Sequence, residues 1–157
     1  MPHKTIQKRI YSTFGEVART IGYSPIHGKI MGALLVNGGE MSLQEMSRET
    51  GYSISMISLS LDLLELMGVI KKSRRHGDRN LYISLQGDLL DTLKNAIVIK
   101  IRKSINSTLA DFKSSQSEIE HLPPKEREKV RKSVRILEGE IKRLERYVSI
   151  LSRTRLP

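Results

Sequence analysis

The stretch Gly51-Tyr52-Ser53-Ile54-Ser55-Met56-Ile57-Ser58-Leu59-Ser60-Leu61, followed by Gly68-Val69-Ile70-Lys71-Lys72-Ser73-Arg74-Arg75-His76-Gly77-Asp78-Arg79-Asn80-Leu81-Tyr82-Ile83-Ser84, decides the fold. Ser53 is placed to cap a helix whose Ile54, Ile57, Leu61 and Leu64 line one face, and Gly68 ends it. Just upstream, Ser42-Leu43-Gln44-Glu45 has the spacing of a capping box and opens a shorter helix that stops at Thr50-Gly51. Two helices joined by Gly51-Tyr52-Ser53 form a helix-turn-helix pattern. Residues 69–74 then read as a strand, 75–79 as a turn and 80–84 as the returning strand. The sum is a winged helix-turn-helix, mainly α with a small β-hairpin wing.

Working outward on the N-terminal side, Ile6, Ile10, Phe14, Val17 and Ile21 recur every three or four residues and predict an amphipathic helix. Ser24-Pro25 reads as an N-cap with proline at the first helical position. The second helix is expected through Ile26, Ile30, Leu34 and Leu35, ending at Asn37-Gly38-Gly39. Gly28 and Gly32, one turn apart, suit the close approach of another helix better than a phosphate loop.

On the C-terminal side, Leu90, Leu93, Ile97, Ile101, Ile105, Leu109, Phe112 and Ile119 predict one long helix from Asp88 to about His121. Pro123-Pro124 breaks it and starts another. There Val130, Val134, Leu137, Ile141, Leu144, Val148 and Leu151 alternate steps of four and three, the seam of a dimerisation coiled coil. The expected organisation is an N-terminal dimerisation helix (1–23), a winged DNA-binding domain (24–87) and a long helix plus coiled-coil helix that dimerise (88–157).

Charge placement narrows the partner. The chain of 157 residues has a net charge of +10, which favours polyanions. Residues 71–79 hold five bases and one acid, whereas the rest of 24–87 is net −3. Lys71, Lys72, Arg74, Arg75 and Arg79, with His76 and Asp78, therefore mark the wing as the stronger DNA candidate, with Arg75 or Arg79 suited to a narrow minor groove. On the helix capped by Ser53, the exposed side should present Ser55, Met56, Ser58, Leu59 and Asp62. The serines can bond bases or phosphates, and Met56 or Leu59 can meet a thymine methyl group. Arg, Asn and Gln, the strong bidentate readers, are missing. Ser42 and Gln44 are candidates for the DNA backbone. The +8 of residues 94–157 reads as the solvated surface of dimerising helices, or as a nonspecific DNA surface.

Other classes fit poorly. With no Cys, disulfides and thiolate metal sites are excluded. His3, His27, His76 and His121 match no metal spacing, and no nucleotide or nucleophile motif occurs, so neither an enzyme nor a cofactor or metal is expected. No apolar run approaches a membrane span and the N-terminal residues lack a signal-peptide block, so a cytoplasmic protein without a membrane partner is expected.

The residues 51–61, 64–71 and 77–79 resemble the DNA-binding core of MarR-like regulators, and the lead-in Gly22-Tyr23-Ser24-Pro25-Ile26-His27-Gly28-Lys29-Ile30 with the serine-rich helix is similar to the GbsR branch. The resemblance covers about residues 20–90. It implies a homodimeric transcriptional regulator on a pseudo-palindromic double-stranded DNA operator, with Ser55, Ser58 and Leu59 facing bases and Asp78 and Arg79 as the wing's acid–arginine pair. Some GbsR-type proteins sense choline or glycine betaine. Here Tyr11, Phe14, Tyr23, Tyr52, Tyr82, Phe112 and Tyr147 are scattered, so that ligand is not carried over. A small-molecule effector of other identity, held between the first helix and the helix from Asp88, is left open. The alternative to a regulator is a protein-interaction module that docks through Met56, Leu59, Leu63 and Leu66, with the coiled coil as its assembly arm.

Overall fold

In the computed structural model, which describes residues 2–157, the chain forms two units, Met1–Thr92 and Leu93–Pro157. The first begins with α1 (Pro2–Thr20) and α2 (Pro25–Val36). Ser24 occupies the N-cap of α2 in extended conformation, but its side chain makes no capping bond; Pro25, which has no N–H to satisfy, follows it. Gly38 and Gly39, both at positive φ, turn the chain out of α2 into β1 (Glu40–Ser42). This strand is absent from the expected elements, because three residues are too few to show an alternation.

The capping box at the start of α3 (Leu43–Thr50) is complete. Glu45 N–H donates to Ser42 Oγ at 3.2 Å, while Ser42 N–H and its hydroxyl both donate to the Glu45 carboxylate at 2.8 Å. Gly51, at φ +76°, terminates α3. α4 (Ile54–Leu66) starts at Ser53, whose hydroxyl oxygen accepts from Met56 N–H at 3.3 Å. The wing consists of β2 (Ile70–Arg74) and β3 (Leu81–Leu85). The three strands form one antiparallel sheet in the order β1-β3-β2, with Met41 and Lys72 on either side of Ile83. The core of this unit joins Ile30 and Leu34 of α2, Met46 of α3, Ile57 and Leu61 of α4 and Ile83 of β3, all fully buried. This is a winged-helix fold, mainly helical with a small sheet.

The second unit contains most of α5 (Leu89–Ser114), then α6 (Gln116–Glu120) and α7 (Pro124–Arg153). The single helix expected to run to His121 is interrupted at Ser115. The hydroxyls of Ser114 and Ser115 both donate to the Asp111 carbonyl, at 2.9 and 3.0 Å, so side chains compete for a backbone acceptor where the regular turns end. α5 and α7 run antiparallel: Lys94 Nζ donates to the Thr154 carbonyl at 3.0 Å and Arg102 to Ser152 Oγ at 3.2 Å. Between them pack Val98, Ile105 and Val148, flanked by Ile101, Leu109 and Ile141. The expected stripe on α5 is therefore only partly the packed one. Val98, outside that stripe, is buried, while Leu90 is exposed.

Candidate nucleic-acid interface

α4 buries Ile57, Ser60, Leu61 and Leu64 and turns the opposite side to solvent. At 100° per residue, the ridge farthest from the core is Ser55, Leu59, Asp62 and Leu66, flanked by Met56. Leu59 is 75% exposed and Met56 51%, on a helix whose Ile57 and Leu61 are completely buried. Ser55 is exposed and Ser58 half-buried, and Ser53 is exposed while its oxygen caps the helix. Ser60 has turned inward and donates to the Met56 carbonyl at 2.9 Å.

The wing emerges beside that ridge because Val69 and Ile70 at the start of β2 are buried in one core with Ile57, Leu61 and Leu64 of α4, and Lys72 bridges the two elements at the surface. Its Nζ lies 2.5 Å from the Asp62 carboxylate and 3.2 Å from that of Glu65. The Asp62 hydrogen bond, with help from Glu65, raises the Lys72 ammonium above its usual pKa.

At the tip, Gly77 at φ +76° permits the turn, and Asp78 N–H donates to the Arg75 carbonyl at 3.1 Å. Asp78 then fixes the returning strand. Its carboxylate accepts from Asn80 N–H at 2.8 Å and from the Tyr82 hydroxyl at 2.7 Å. These two bonds, the backbone one foremost, hold the Asp78 carboxyl below its usual range, and the same carboxylate raises the Tyr82 phenol. The Arg75 guanidinium stacks 3.8 Å from the Tyr82 ring centre and pairs with Glu40 of β1. Arg74 donates to the Arg79 carbonyl at 3.3 Å.

The five wing cations thus divide. Lys72 and Arg75 are held by acids of the same unit, whereas Lys71, Arg74 and Arg79 turn to solvent, as does His76. The tethering acids Glu40 and Glu65 carry no signal in the sequence, because they reach the wing only through the pairing of β1 and the placement of β2 against α4. Of the two backbone candidates, Gln44 is exposed. Ser42 is buried, with its hydroxyl used in the capping box.

A polar hollow of about 550 Å³ in the same unit is lined by Lys4, Asn37, Glu40, Met41, Glu45, Arg48 and Glu49. Its acids are already engaged, Glu40 by Arg75, Glu45 by the capping box and Glu49 by the Tyr11 hydroxyl. The described residues contain no group of three or more His, Cys, Asp or Glu arranged to hold a metal ion, and no helix long and apolar enough to cross a membrane.

In α7 the heptad positions part company. Val148 is buried against α5 and Ile141 packs beside it, with Val130 and Val134 half-buried. Leu137, Leu144 and Leu151 remain exposed, in company with Ile136, Tyr147 and Ile150.

Among solved structures, the chain is similar to a crystal structure described as that of a transcriptional regulator, with a TM-score of 0.65 and 18% identity over 94% of this chain and 96% of that one. It is also similar to the ligand-free organohalide-sensing transcriptional regulator RdhR-CbdbA1625 (TM-score 0.43, 17% identity, 99% and 83% covered) and to a MepR-like protein complexed with pseudoligands (TM-score 0.43, 19% identity, 89% of each). No family model and no curated protein matches the chain.

Proposed function

We propose that the chain is a sequence-selective, double-stranded DNA-binding transcriptional regulator that acts as a homodimer on a pseudo-palindromic operator. The observation that carries this reading is the adjacency of the exposed ridge of α4 and the basic wing, which the Lys72 bridge to Asp62 and Glu65 spans. A helix entering the major groove and a basic hairpin over the adjacent backbone or minor groove need that adjacency. The likeness to a solved transcriptional regulator over nearly the whole chain supports the fold on which the reading rests. Resemblance to MarR-like regulators, and to their GbsR branch through residues 22–30 and the serine-rich α4, points the same way.

In this reading α4 offers Ser53, Ser55, Met56, Ser58 and Leu59 to one major groove. Arg74, His76 and Arg79 meet the flanking DNA, and Asp78 shapes the wing instead of pairing with Arg79. Lys72 and Arg75 join them only after leaving their acids. Leu137, Leu144 and Leu151 supply an apolar seam for a second copy, which would set half-sites one or two helical turns apart, roughly 34–70 Å.

Selection of random duplexes by the purified full chain tests the proposal. A short inverted repeat should be enriched, and Arg74→Ala with Arg79→Ala should weaken its binding and flatten the salt dependence by about one counterion for each phosphate no longer neutralised. No enrichment, together with a stably co-purifying protein, would replace the regulator by the interaction module.

A further inference from the structure

We propose that α4 selects its DNA by the C5-methyl groups of thymine, with Leu59 and Met56 as the specificity-determining residues. The inference rests on the DNA-binding reading and adds the chemistry of the selected base. Along Ile54–Leu66 there is no Arg, Lys, His, Asn or Gln. The side chains that identify guanine or adenine by paired hydrogen bonds are therefore missing from the element that faces the bases, and a serine hydroxyl bonds to several base edges without strong preference. What α4 presents in their place is hydrocarbon: Leu59 at 75% exposure and Met56 at 51%. The one apolar group on a major-groove base edge of unmodified DNA is the thymine methyl.

Position along the helix supports the same occupant. Met56 and Leu59 are three residues apart, about 4.5 Å along the axis, comparable with the roughly 3.4 Å base step of duplex DNA. The pair can therefore meet methyls on neighbouring base pairs. Asp62 and Glu65 lie farther along α4 and would repel phosphates there, which confines base contact to the first two turns and leaves Leu66 outside it. Exposed Lys71, Arg74 and Arg79 on the wing complement the charge of DNA beside those turns.

The test uses the duplex selected by the full chain, resynthesised with deoxyuridine in place of thymidine. This removes the C5-methyl and keeps every hydrogen-bonding group. Loss of each contacted methyl should weaken binding about fourfold, the equivalent of roughly 0.8 kcal/mol of buried hydrocarbon. Leu59→Ala should bring the thymine-to-uracil affinity ratio toward one, whereas Leu59→Met, which restores an apolar tip, should retain it; thermal melting of both variants checks the fold. Equal binding of the two duplexes by the unaltered chain would overturn methyl readout and leave the DNA-binding reading intact. A thymine preference unchanged in Leu59→Ala and Met56→Ala would also overturn it, since the methyls would then act through duplex shape. Failure to enrich any duplex would remove the DNA-binding reading and this inference together.

Discussion

A Cβ placed on Gly28 would lie 2.0 Å from the Phe14 carbonyl oxygen, so α1 and α2 cross with their backbones in contact. At Gly32, one turn on, the atoms nearest to such a Cβ belong to the Phe14 side chain, at 3.3 Å. Gly28→Ala must push the helices apart, and the cost should exceed the roughly 1 kcal/mol that alanine's helix propensity supplies. A net loss of about 2–3 kcal/mol is expected. Gly32→Ala should stay within about 1 kcal/mol of the unaltered chain, because the Phe14 side chain has to give by only a few tenths of an ångström, whereas at Gly28 a backbone carbonyl stands in the way. Urea unfolding of the two variants measures the difference.

The Ser42–Glu45 box gives a second stability test, in pH. Hydrogen bonds from the Ser42 backbone and hydroxyl hold the Glu45 carboxyl below its ordinary value of 4.5. A carboxyl lowered on folding stabilises the native state above its unfolded-state pKa and loses that contribution as pH falls through the folded value. The melting temperature should therefore drop on acidification below about pH 4.5 less steeply in Glu45→Gln than in the unaltered chain. Ser42→Ala at neutral pH should cost about 1–2 kcal/mol through loss of the cap.

How far sequence reading reaches can be traced through these same residues. The capping box, Ser53, the terminating Gly51 and Gly68 and the Gly28/Gly32 crossing are legible because each follows from local chemistry at fixed spacing. β1 is not, since three residues carry no periodicity and the strand exists only through pairing with β3. The break at Ser115 is hidden for a different reason: an apolar stripe carries through a local hydrogen-bond defect without registering it. At the candidate interface, charge density identifies the wing, but which cations are engaged depends on Glu40 and Glu65, whose positions are tertiary.

Those acids lead to a prediction about binding. Asp62→Asn with Glu65→Gln releases Lys72 and removes two like charges from the DNA-facing side. Duplex affinity at physiological salt should rise severalfold, and log affinity against log salt should steepen by about 0.9 for each additional phosphate neutralised. Because the carboxylates are largely solvent-exposed, folding stability should change by no more than about 1 kcal/mol. Fluorescence anisotropy over a salt series reads the first effect and thermal melting the second. An unchanged salt slope would mean that Lys72 stays off the DNA even when released.

The two halves of the α7 seam should separate just as cleanly. Val148 is buried inside the second unit, so Val148→Ala should lower the stability of the α5–α7 pair by about 2 kcal/mol, through lost hydrocarbon burial and the cavity left behind. Leu144 is 41% exposed and Leu137 50%, so charging both, as Leu137→Glu with Leu144→Glu, removes little packing within the chain. In a homodimer joined along this face, the same change buries like charges against each other and should shift sedimentation from dimer to monomer at micromolar concentration. Circular dichroism should keep its helical signal at low temperature in both variants. A double glutamate variant that still sediments as the unaltered chain does would exclude this face from the dimer, whatever its effect on DNA affinity.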